Sequence, residues 1–283
     1  MIELTSCKDA ARSLKRFVKS NIILFTQNKK ISPPKLVIIT LNNDEASERY
    51  VQGKLKDCEE VGAIAEIYRA QSLEDINTMI AKLNQDNSVH GIIIQHPLHY
   101  TDGSKVPDSV FYNLVNEIFP KKDVDGLTKH TIFYPCTPSA IQWYLLLNNI
   151  ILEDKHIAIV GRSKLVGTPL AEMMKNANAT VTTIHSGTPA RVRHRILRSA
   201  DIIISAAGVK NLITKEDLVA SHEQILIDVG INFNDEGKLC GDADPEIYNI
   251  GTLTYTPVPG GVGLLTRAML LKHLLDLWIR QVL

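Results

Sequence analysis

The feature that most constrains the fold is a regular alternation of short apolar runs with amphipathic helical stretches from residue 35 onward. Short apolar runs bounded by turn signals are typical of buried strands, and their alternation with helices predicts an α/β protein with parallel sheets. The first series has predicted strands at residues 35–41, 63–70 and 90–95 and predicted helices at 6–27, 44–60, 72–87 and 107–118. The second series has predicted strands at residues 156–160, 180–185, 201–206 and 224–229.

A break between the two series predicts two domains. Pro120, Gly126, Pro135 and Pro138 interrupt the periodicity there, and 283 residues are enough for two hydrophobic cores. The apolar segment 264–283 is predicted to form a terminal helix that packs back on the first domain. We therefore expect a substrate-side domain made of residues 1–137 and 265–283, and a Rossmann-like, doubly wound domain at 138–264.

Composition and charge exclude several classes of protein. Lys and Arg total 31, as do Asp and Glu, so no global field attracts nucleic acid or an anionic membrane. The apolar runs fall short of the ~18 residues of a spanning helix, and the N-terminus carries no export signal, so we expect a cytoplasmic protein. The four cysteines are scattered, which argues against disulfides and structural zinc and predicts reduced thiols and no metal site.

A glycine-bearing turn follows the first strand of the second series, and a helix is predicted directly after it. N–H groups at such a helix start bind phosphate, so the context predicts a dinucleotide-binding loop, with a tight turn that holds no ligand as the alternative. Ser163 stands where the standard G-x-G-x-x-G fingerprint has its second glycine. The residues that we expect to contact the cofactor here are Gly161, Arg162, Ser163, Val166 and Gly167.

The end of the next strand indicates which dinucleotide binds. NAD-binding folds carry an acid there that bonds the ribose 2′-hydroxyl, whereas this chain has His185 and Ser186. A carboxylate would repel a 2′-phosphate, while Arg162, His185 and Ser186 can accept one. NADP is therefore favoured over NAD. The following helix carries four arginines, of which the first two are further candidates and the last two are expected to be solvated: Arg191, Arg193, Arg195 and Arg198.

The first domain carries candidate catalytic residues. Tyr50 and Lys54 are four residues apart on a predicted helix, a spacing that lets a phenol hydrogen-bond an amine. A partly desolvated lysine can have its pKa lowered and carry a proton, although most such pairs are surface residues. Gln95 lies at a strand end, where open α/β sheets place ligand-contacting groups. Asp123 and Asp125 lie in a turn, where either can cap the next element or accept hydrogen bonds from a substrate.

Several of these segments match, in order, the motifs of one family. They are Ala46-Ser47-x-x-Tyr50-Val51-x-x-Lys54, Gly91-Ile92-Ile93-Ile94-Gln95-x-Pro97-Leu98, Lys122-Asp123-Val124-Asp125-Gly126, Pro135-Cys136-Thr137-Pro138, Gly161-Arg162-Ser163-x-x-Val166-Gly167-x-Pro169, Asp228-Val229-Gly230-Ile231-Asn232 and Thr256-Pro257-Val258-Pro259-Gly260-Gly261-Val262-Gly263. Across nearly the whole chain, the sequence resembles the bifunctional methylenetetrahydrofolate dehydrogenase/cyclohydrolase family.

The resemblance implies an NADP-dependent enzyme that oxidises 5,10-methylenetetrahydrofolate to 5,10-methenyltetrahydrofolate and hydrolyses that product to 10-formyltetrahydrofolate in one cleft between its domains. It implies a cytoplasmic homodimer that acts on tetrahydrofolate derivatives in one-carbon metabolism and purine biosynthesis. By position, Lys54 corresponds to the family's essential lysine, Tyr50 to its hydrogen-bonding partner, Gln95 to the adjacent glutamine and Asp125 to the carboxylate that grips the pterin. The resemblance also implies substrate contacts at Pro259, Gly260 and Gly261 and cofactor contacts at Thr137 and Ile231.

Some positions depart from the family pattern and indicate a divergent member. They are His96, His99, Leu264, Leu265, the segment 127–134 and the segment 207–210. Two alternative functions remain at this point: an NADP-dependent dehydrogenase of the shikimate or amino-acid type, and a non-catalytic dinucleotide-sensing module. A short-chain dehydrogenase is excluded. In that family the Y-x-x-x-K pattern follows the nucleotide loop, whereas in this chain it precedes the loop.

Overall fold

The computed structural model describes residues 3–41, 45–219 and 223–283, without the side chains of residues 45–47 and 49. The predicted helix start at Asp44 and the motif side chains Ala46 and Ser47 lie outside this description. Contacts divide the chain into two units. The three-stranded unit comprises Ser13–Cys136 and Arg267–Leu283, and the five-stranded unit comprises Thr137–Thr266 with the N-terminal stretch through Arg12.

The N-terminal half alternates helices and strands as the sequence predicts, with limits that differ by a few residues. Its elements are α1 (Cys7–Lys29), β1 (Lys35–Leu41), α2 (Glu45–Val61), β2 (Ile64–Ala70), α3 (Leu73–Gln85), β3 (Gly91–Ile94) and α4 (Asp108–Asn116). The strands form a parallel sheet in the order β2-β1-β3. Since β2 and β3 lie on opposite sides of β1, the chain reverses direction across the sheet at β1 and β3, which is where such sheets bind ligands.

The chain after residue 135 contains a second parallel sheet and ends in a helix. Its elements are α5 (Cys136–Leu147), β4 (His156–Val160), α6 (Gly167–Asn176), β5 (Thr180–Ile184), α7 (Ala190–Ser199), β6 (Ile202–Ser205), β7 (Gln224–Asp228), β8 (Asn232–Phe233), β9 (Leu239–Cys240), β10 (Leu253–Tyr255) and α8 (Val262–Val282). The five strands follow the order β10-β7-β6-β4-β5, and the short pair β8 and β9 is antiparallel. All four strands predicted in this half are present, whereas the hydrophobic pattern does not predict α5, β8, β9 or β10.

The terminal helix α8 belongs mostly to the core of the three-stranded unit. Its apolar side chains, among them Leu271, Leu274 and Trp278, pack with Val18 of α1 and Ile38 of β1. All five side chains are buried. Burial of this apolar surface is what makes residues far apart in the chain fold as one unit.

The first residues of the chain are grouped with the five-stranded unit, although the predicted division placed them in the first domain. The Tyr144 hydroxyl donates a 2.6 Å hydrogen bond to the Thr5 carbonyl oxygen, and the Thr5 N–H donates to Asn148 Oδ1 at 2.6 Å. The predicted domain division is based on the hydrophobic pattern of the sequence, which cannot reveal polar contacts of this kind. The domain limits as a functional division stay a prediction.

The four cysteines are free thiols, and Cys7, Cys58 and Cys136 are buried. Among the helices that the structure describes, none combines the length and apolarity needed to cross a membrane.

Candidate active site

Lys54 and Gln95 meet at the carboxyl edge of the three-stranded sheet. Lys54 is half-buried on α2, and its Nζ donates a 2.7 Å hydrogen bond to Gln95 Oε1. Gln95 is only 6% exposed, and its Nε2 donates to the His96 carbonyl oxygen at 2.8 Å. The backbone N–H of Gln95 donates a 2.9 Å hydrogen bond to the Ile39 carbonyl oxygen of β1. The amide is therefore fixed at both ends and holds the lysine amine in one place.

A carboxylate completes this site. Burial lowers the pKa of Lys54, and the negative charge of Asp125 partly offsets that effect. Burial in turn raises the pKa of Asp125, while the charge of Lys54 opposes the rise. A lysine with a lowered pKa has a larger neutral fraction, which is the form that accepts a proton.

The other charged residues of the Lys122–Gly126 motif build the loop that presents Asp125. The buried Asp123 carboxylate accepts hydrogen bonds from the backbone N–H groups of Gly126, Leu127 and Thr128 at 2.8–3.0 Å. The buried Lys122 ammonium donates to the carbonyl oxygens of Leu83 and Asp86, both at 2.6 Å. Of the two acids that the sequence left open, Asp123 is thus the capping residue.

Tyr50 lies one turn before Lys54 on α2, with 41% of its surface exposed. Among the described residues, the hydrogen bond of the Lys54 ammonium goes to Gln95 and not to Tyr50. The hydrogen bond between Tyr50 and Lys54 therefore stays a prediction.

In the five-stranded unit, the predicted nucleotide loop lies where the strand order reverses. β4 has β5 on one side and β6 on the other, and Gly161 directly follows β4. Gly161 has a φ of +119°, and a Cβ there would collide with the Ala206 carbonyl oxygen beyond β6. A Cβ on Gly167 would collide with the Gly161 carbonyl oxygen. Both positions require glycine, and this close backbone packing leaves a cradle at the start of α6 that suits a pyrophosphate.

Side-chain bonds order the rest of this loop. Ser163 Oγ accepts from the Val166 N–H at 3.2 Å, and Thr168 Oγ1 donates to the Arg162 carbonyl oxygen at 3.0 Å. The Arg162 side chain is exposed at the same loop. A cation is therefore available where the sequence predicted a phosphate contact.

The predicted 2′-phosphate contacts lie directly after β5. The His185 N–H donates to Thr188 Oγ1 at 3.1 Å, and the Gly187 N–H donates to His185 Nδ1 at 3.1 Å, so His185 and Ser186 form a tight turn. On α7, Arg193 lies 3.7 Å from the buried Asp217 carboxylate, which engages its charge. Exposed Arg198 donates to two backbone carbonyls and is therefore not simply solvated.

Asp242 holds the loop after β6, which packs against Gly161, and no sequence motif predicts this role. This fully buried carboxylate accepts hydrogen bonds from Ser205 Oγ, from the N–H groups of Ala207, Gly208 and Val209, and from Asn232 Nδ2, at 2.8–3.3 Å. The loop 207–210, which departs from the family pattern, is thus held by one buried acid.

Comparison with known proteins decides the family. The model of the tetrahydrofolate dehydrogenase/cyclohydrolase catalytic domain matches residues 5–125, and the model of the same family's NAD(P)-binding domain matches residues 135–282. The chain belongs to the tetrahydrofolate dehydrogenase/cyclohydrolase family. This membership sets aside both the shikimate-type dehydrogenase and the non-catalytic module.

Relatives along the whole chain agree. The bifunctional protein FolD of Streptococcus pyogenes is 38% identical, with 96% of each chain covered, and that of Staphylococcus haemolyticus is 39% identical, with 86% of this chain and 85% of its own covered. Among solved structures, the FolD enzyme of Campylobacter jejuni has a TM-score of 0.89 at 34% identity and full coverage of both chains. The Trypanosoma brucei enzyme, solved with NADP and an inhibitor, has a TM-score of 0.87 at 27% identity, with 99% of this chain and 98% of its own covered.

The remaining family-implied contacts lie in the five-stranded unit of this tetrahydrofolate dehydrogenase/cyclohydrolase. Gly260 has a φ of +95°, and a Cβ on Gly261 would collide with the Pro257 carbonyl oxygen. Thr137 Oγ1 lies 3.0 Å from Thr266 Oγ1, and Ile231 is 55% exposed. Pro259 lies in the turn before α8. The roles of Pro259, Gly260, Gly261, Thr137 and Ile231 stay predictions.

One departure from the family pattern touches the site directly. His96, whose carbonyl oxygen anchors Gln95, packs edge-on against Phe111 with ring centroids 4.6 Å apart. Burial lowers the pKa of His96.

A second charged group lies beside the site and consists of Asp57, Arg267 and Lys15. The sequence does not predict this group, because its three residues come from distant parts of the chain.

Proposed function

We propose that this chain oxidises 5,10-methylenetetrahydrofolate with NADP and hydrolyses the resulting 5,10-methenyltetrahydrofolate to 10-formyltetrahydrofolate. The observation that carries the proposal is the Lys54–Gln95 hydrogen bond beside Asp125, within the catalytic domain of this family. These are the groups that the hydrolysis requires, and the NAD(P)-binding domain serves the oxidation.

The oxidation needs orientation and no protein base. The nitrogen lone pair next to the methylene carbon assists departure of the hydride, so the protein's part is to hold the reactants in place. NADP, when bound, supplies the hydride acceptor. The glycine cradle at Gly161 and Gly167 fits its pyrophosphate, and the absence of an acid at His185–Ser186 fits its 2′-phosphate. Arg162, Ser163 and Val166 complete this proposed contact surface.

The hydrolysis needs a proton carrier. A water oxygen adds to the cationic methenyl carbon and loses a proton, for which the neutral Lys54 amine is the acceptor. The resulting hydroxyl loses its proton as the formyl carbonyl forms, the bond from that carbon to N5 breaks, and N5 takes up a proton. Two protons thus leave the water, N5 takes one, and the products are 10-formyltetrahydrofolate and one released proton. Gln95 keeps the amine oriented through its 2.7 Å hydrogen bond, and Tyr50 lies one helical turn away to join when substrate binds.

Asp125 is the proposed pterin contact. It is an acceptor beside Lys54 on a loop fixed by Asp123, and a carboxylate accepts hydrogen bonds from the N–H groups of a pterin. Pro259, Gly260 and Gly261 are proposed to contact the folate, and Thr137 and Ile231 the cofactor.

We also propose a cytoplasmic homodimer that supplies formyl groups to purine biosynthesis, as the family resemblance implies. β5 supports the dimer, because it is an edge strand of its sheet and such strands can pair with a second copy. Sedimentation equilibrium tests this point, and a monomer at micromolar concentration contradicts it.

The enzymatic proposal is tested with purified protein, 5,10-methylenetetrahydrofolate and either NADP or NAD. Reduced cofactor and the methenyl absorbance are followed together. We expect reduction with NADP and little accumulation of methenyltetrahydrofolate. Accumulation of that intermediate contradicts the hydrolysis step, and no reduction with either cofactor contradicts the oxidation.

A further inference from the structure

A buried ion cluster lies one turn beyond Lys54 on α2. The Asp57 carboxylate is 4% exposed and lies between two cations, with Lys15 Nζ 2.6 Å from Oδ1 and Arg267 Nε 2.9 Å from Oδ2. Residues three apart on a helix are neighbours on its surface, so Asp57 is within reach of Lys54. Both oxygens, however, already face a cation: Oδ1 accepts a hydrogen bond from Lys15 Nζ, and Oδ2 is paired with Arg267 Nε through charge and not through a hydrogen bond.

Gly53 explains how Arg267 reaches this position. Arg267 comes from α8, and its Nη1 occupies the space that a side chain on Gly53 would fill, because a Cβ there would collide with it. The guanidinium therefore lies against the backbone of the residue that precedes Lys54. Glycine in a helix interior costs about 1 kcal/mol relative to alanine, so this close approach is obtained at the expense of helix stability.

The charges around Lys54 act in opposite directions. Burial is the largest influence and lowers the pKa of Lys54, the nearby acidic groups raise it, and the guanidinium of Arg267 lowers it. Loss of the Arg267 charge would remove its repulsion of the Lys54 ammonium. It would also leave the Asp57 carboxylate free to interact with Lys54. Both changes favour the protonated form of Lys54 and therefore raise its pKa. The groups that face Lys54 are Gln95, Asp125, Cys136, Cys58 and Arg267.

We propose that Arg267 is a positioning residue for the hydrolysis step: it fills the space above Gly53, engages Asp57, and so keeps the Lys54 amine free for the reacting water. The inference rests on the proposed function. The proposed role of Arg267 is indirect: it acts through Lys54 and Asp57 and requires no contact with the reacting atoms. A purely structural arginine would support both reactions equally, whereas this role concerns the hydrolysis alone.

The test is the pH–rate profile of methenyltetrahydrofolate hydrolysis for the wild type, Arg267→Gln and Arg267→Lys. We expect Arg267→Gln to hydrolyse roughly tenfold more slowly near neutral pH, with the acidic limb moved to higher pH, because less of the Lys54 amine is neutral. NADP-dependent oxidation should be unchanged, and Arg267→Lys should restore most of the hydrolysis. Arg280→Gln removes the same charge from an exposed site on α8 and is the matched control.

Gly53→Ala keeps every charge and favours the helix, so it tests the inference even if Arg267→Gln fails to fold. Its Cβ should displace Arg267 and move the acidic limb in the same direction. An unmoved limb in either folded variant, or an equal loss of both reactions, overturns the inference. Absence of hydrolysis in the wild type instead overturns the proposed function, so the two failures are distinguishable.

Discussion

Lys54 and Gln95 are 41 residues apart in the chain and are joined by a 2.7 Å hydrogen bond from the lysine ammonium to the glutamine side-chain oxygen. The bond connects α2, which follows β1, to the segment that follows β3. Because β1 and β3 are neighbours at the point where the strand order reverses, the topology alone brings the two side chains together.

Replacement of Lys54 by methionine removes the proton carrier and keeps most of the side-chain volume. We expect Lys54→Met to lose roughly 10²–10⁴-fold in hydrolysis rate, the usual contribution of a positioned acid–base group. Oxidation of methylenetetrahydrofolate should continue, so methenyltetrahydrofolate should accumulate, and NADP affinity should be unchanged. Absorbance of the methenyl product measures this directly.

Lys56→Met is the matched control, because Lys56 is exposed on the same helix. It should hydrolyse at the wild-type rate. Undiminished hydrolysis in Lys54→Met would show that another group moves the proton.

Much of this architecture could be predicted from the sequence, because the central strands β1, β3, β4, β6 and β7 are short apolar runs that are buried over almost their whole length. The loop at Gly161 could be located for the same reason, since it directly follows such a strand. The ion cluster at Asp57 and the hub at Asp242 could not, because each depends on partners from distant segments that hydrophobic periodicity does not connect. Asp123 and Asp125 show the same limit: both are acids in one turn, and only the backbone hydrogen bonds of Asp123 distinguish their roles.

Gly161→Ala tests the nucleotide cradle. The added Cβ would collide with the Ala206 carbonyl oxygen at a φ of +119°, so the loop must move. We expect the Kd for NADP, measured by calorimetry, to rise at least about tenfold, which corresponds to about 1.4 kcal/mol. Gly251→Ala is the control, because a Cβ at Gly251 has no atom within 4 Å. Unchanged NADP affinity in Gly161→Ala would remove this loop from the binding site.

Asp242→Asn tests the buried hub of the five-stranded unit. An amide turns one acceptor into a donor that faces backbone N–H groups, and the lost bonds should cost about 3 kcal/mol of folding free energy. We expect a lower urea midpoint and weaker NADP binding, since the loop that faces Gly161 loses its anchor. Asp235→Asn, at a carboxylate that is 98% exposed, should change neither. If Asp242→Asn lowers stability and leaves NADP affinity intact, Asp242 stabilises the fold but does not contribute to NADP binding.

His90 should make the folding free energy depend on pH. Its Nδ1 accepts a 3.1 Å hydrogen bond from the Lys35 N–H, and burial, assisted by the charge of Lys122, lowers its pKa from 6.5 to about 4. Between these values the unfolded chain binds more protons than the folded one, so the stability contributed by neutral His90 is present above pH 6.5 and is lost as pH falls toward 4. The total loss is about 3 kcal/mol.

His90→Asn should remove this dependence, because Asn can accept the Lys35 N–H through its oxygen and does not titrate. Urea unfolding between pH 7 and pH 4 should give a smaller loss of stability in His90→Asn than in the wild type. His130→Asn, at an exposed histidine, should retain the wild-type slope. Equal slopes in the wild type and His90→Asn would mean that His90 takes up its proton in the folded state at an ordinary pH, and hence that water reaches the ring at the amino end of β3.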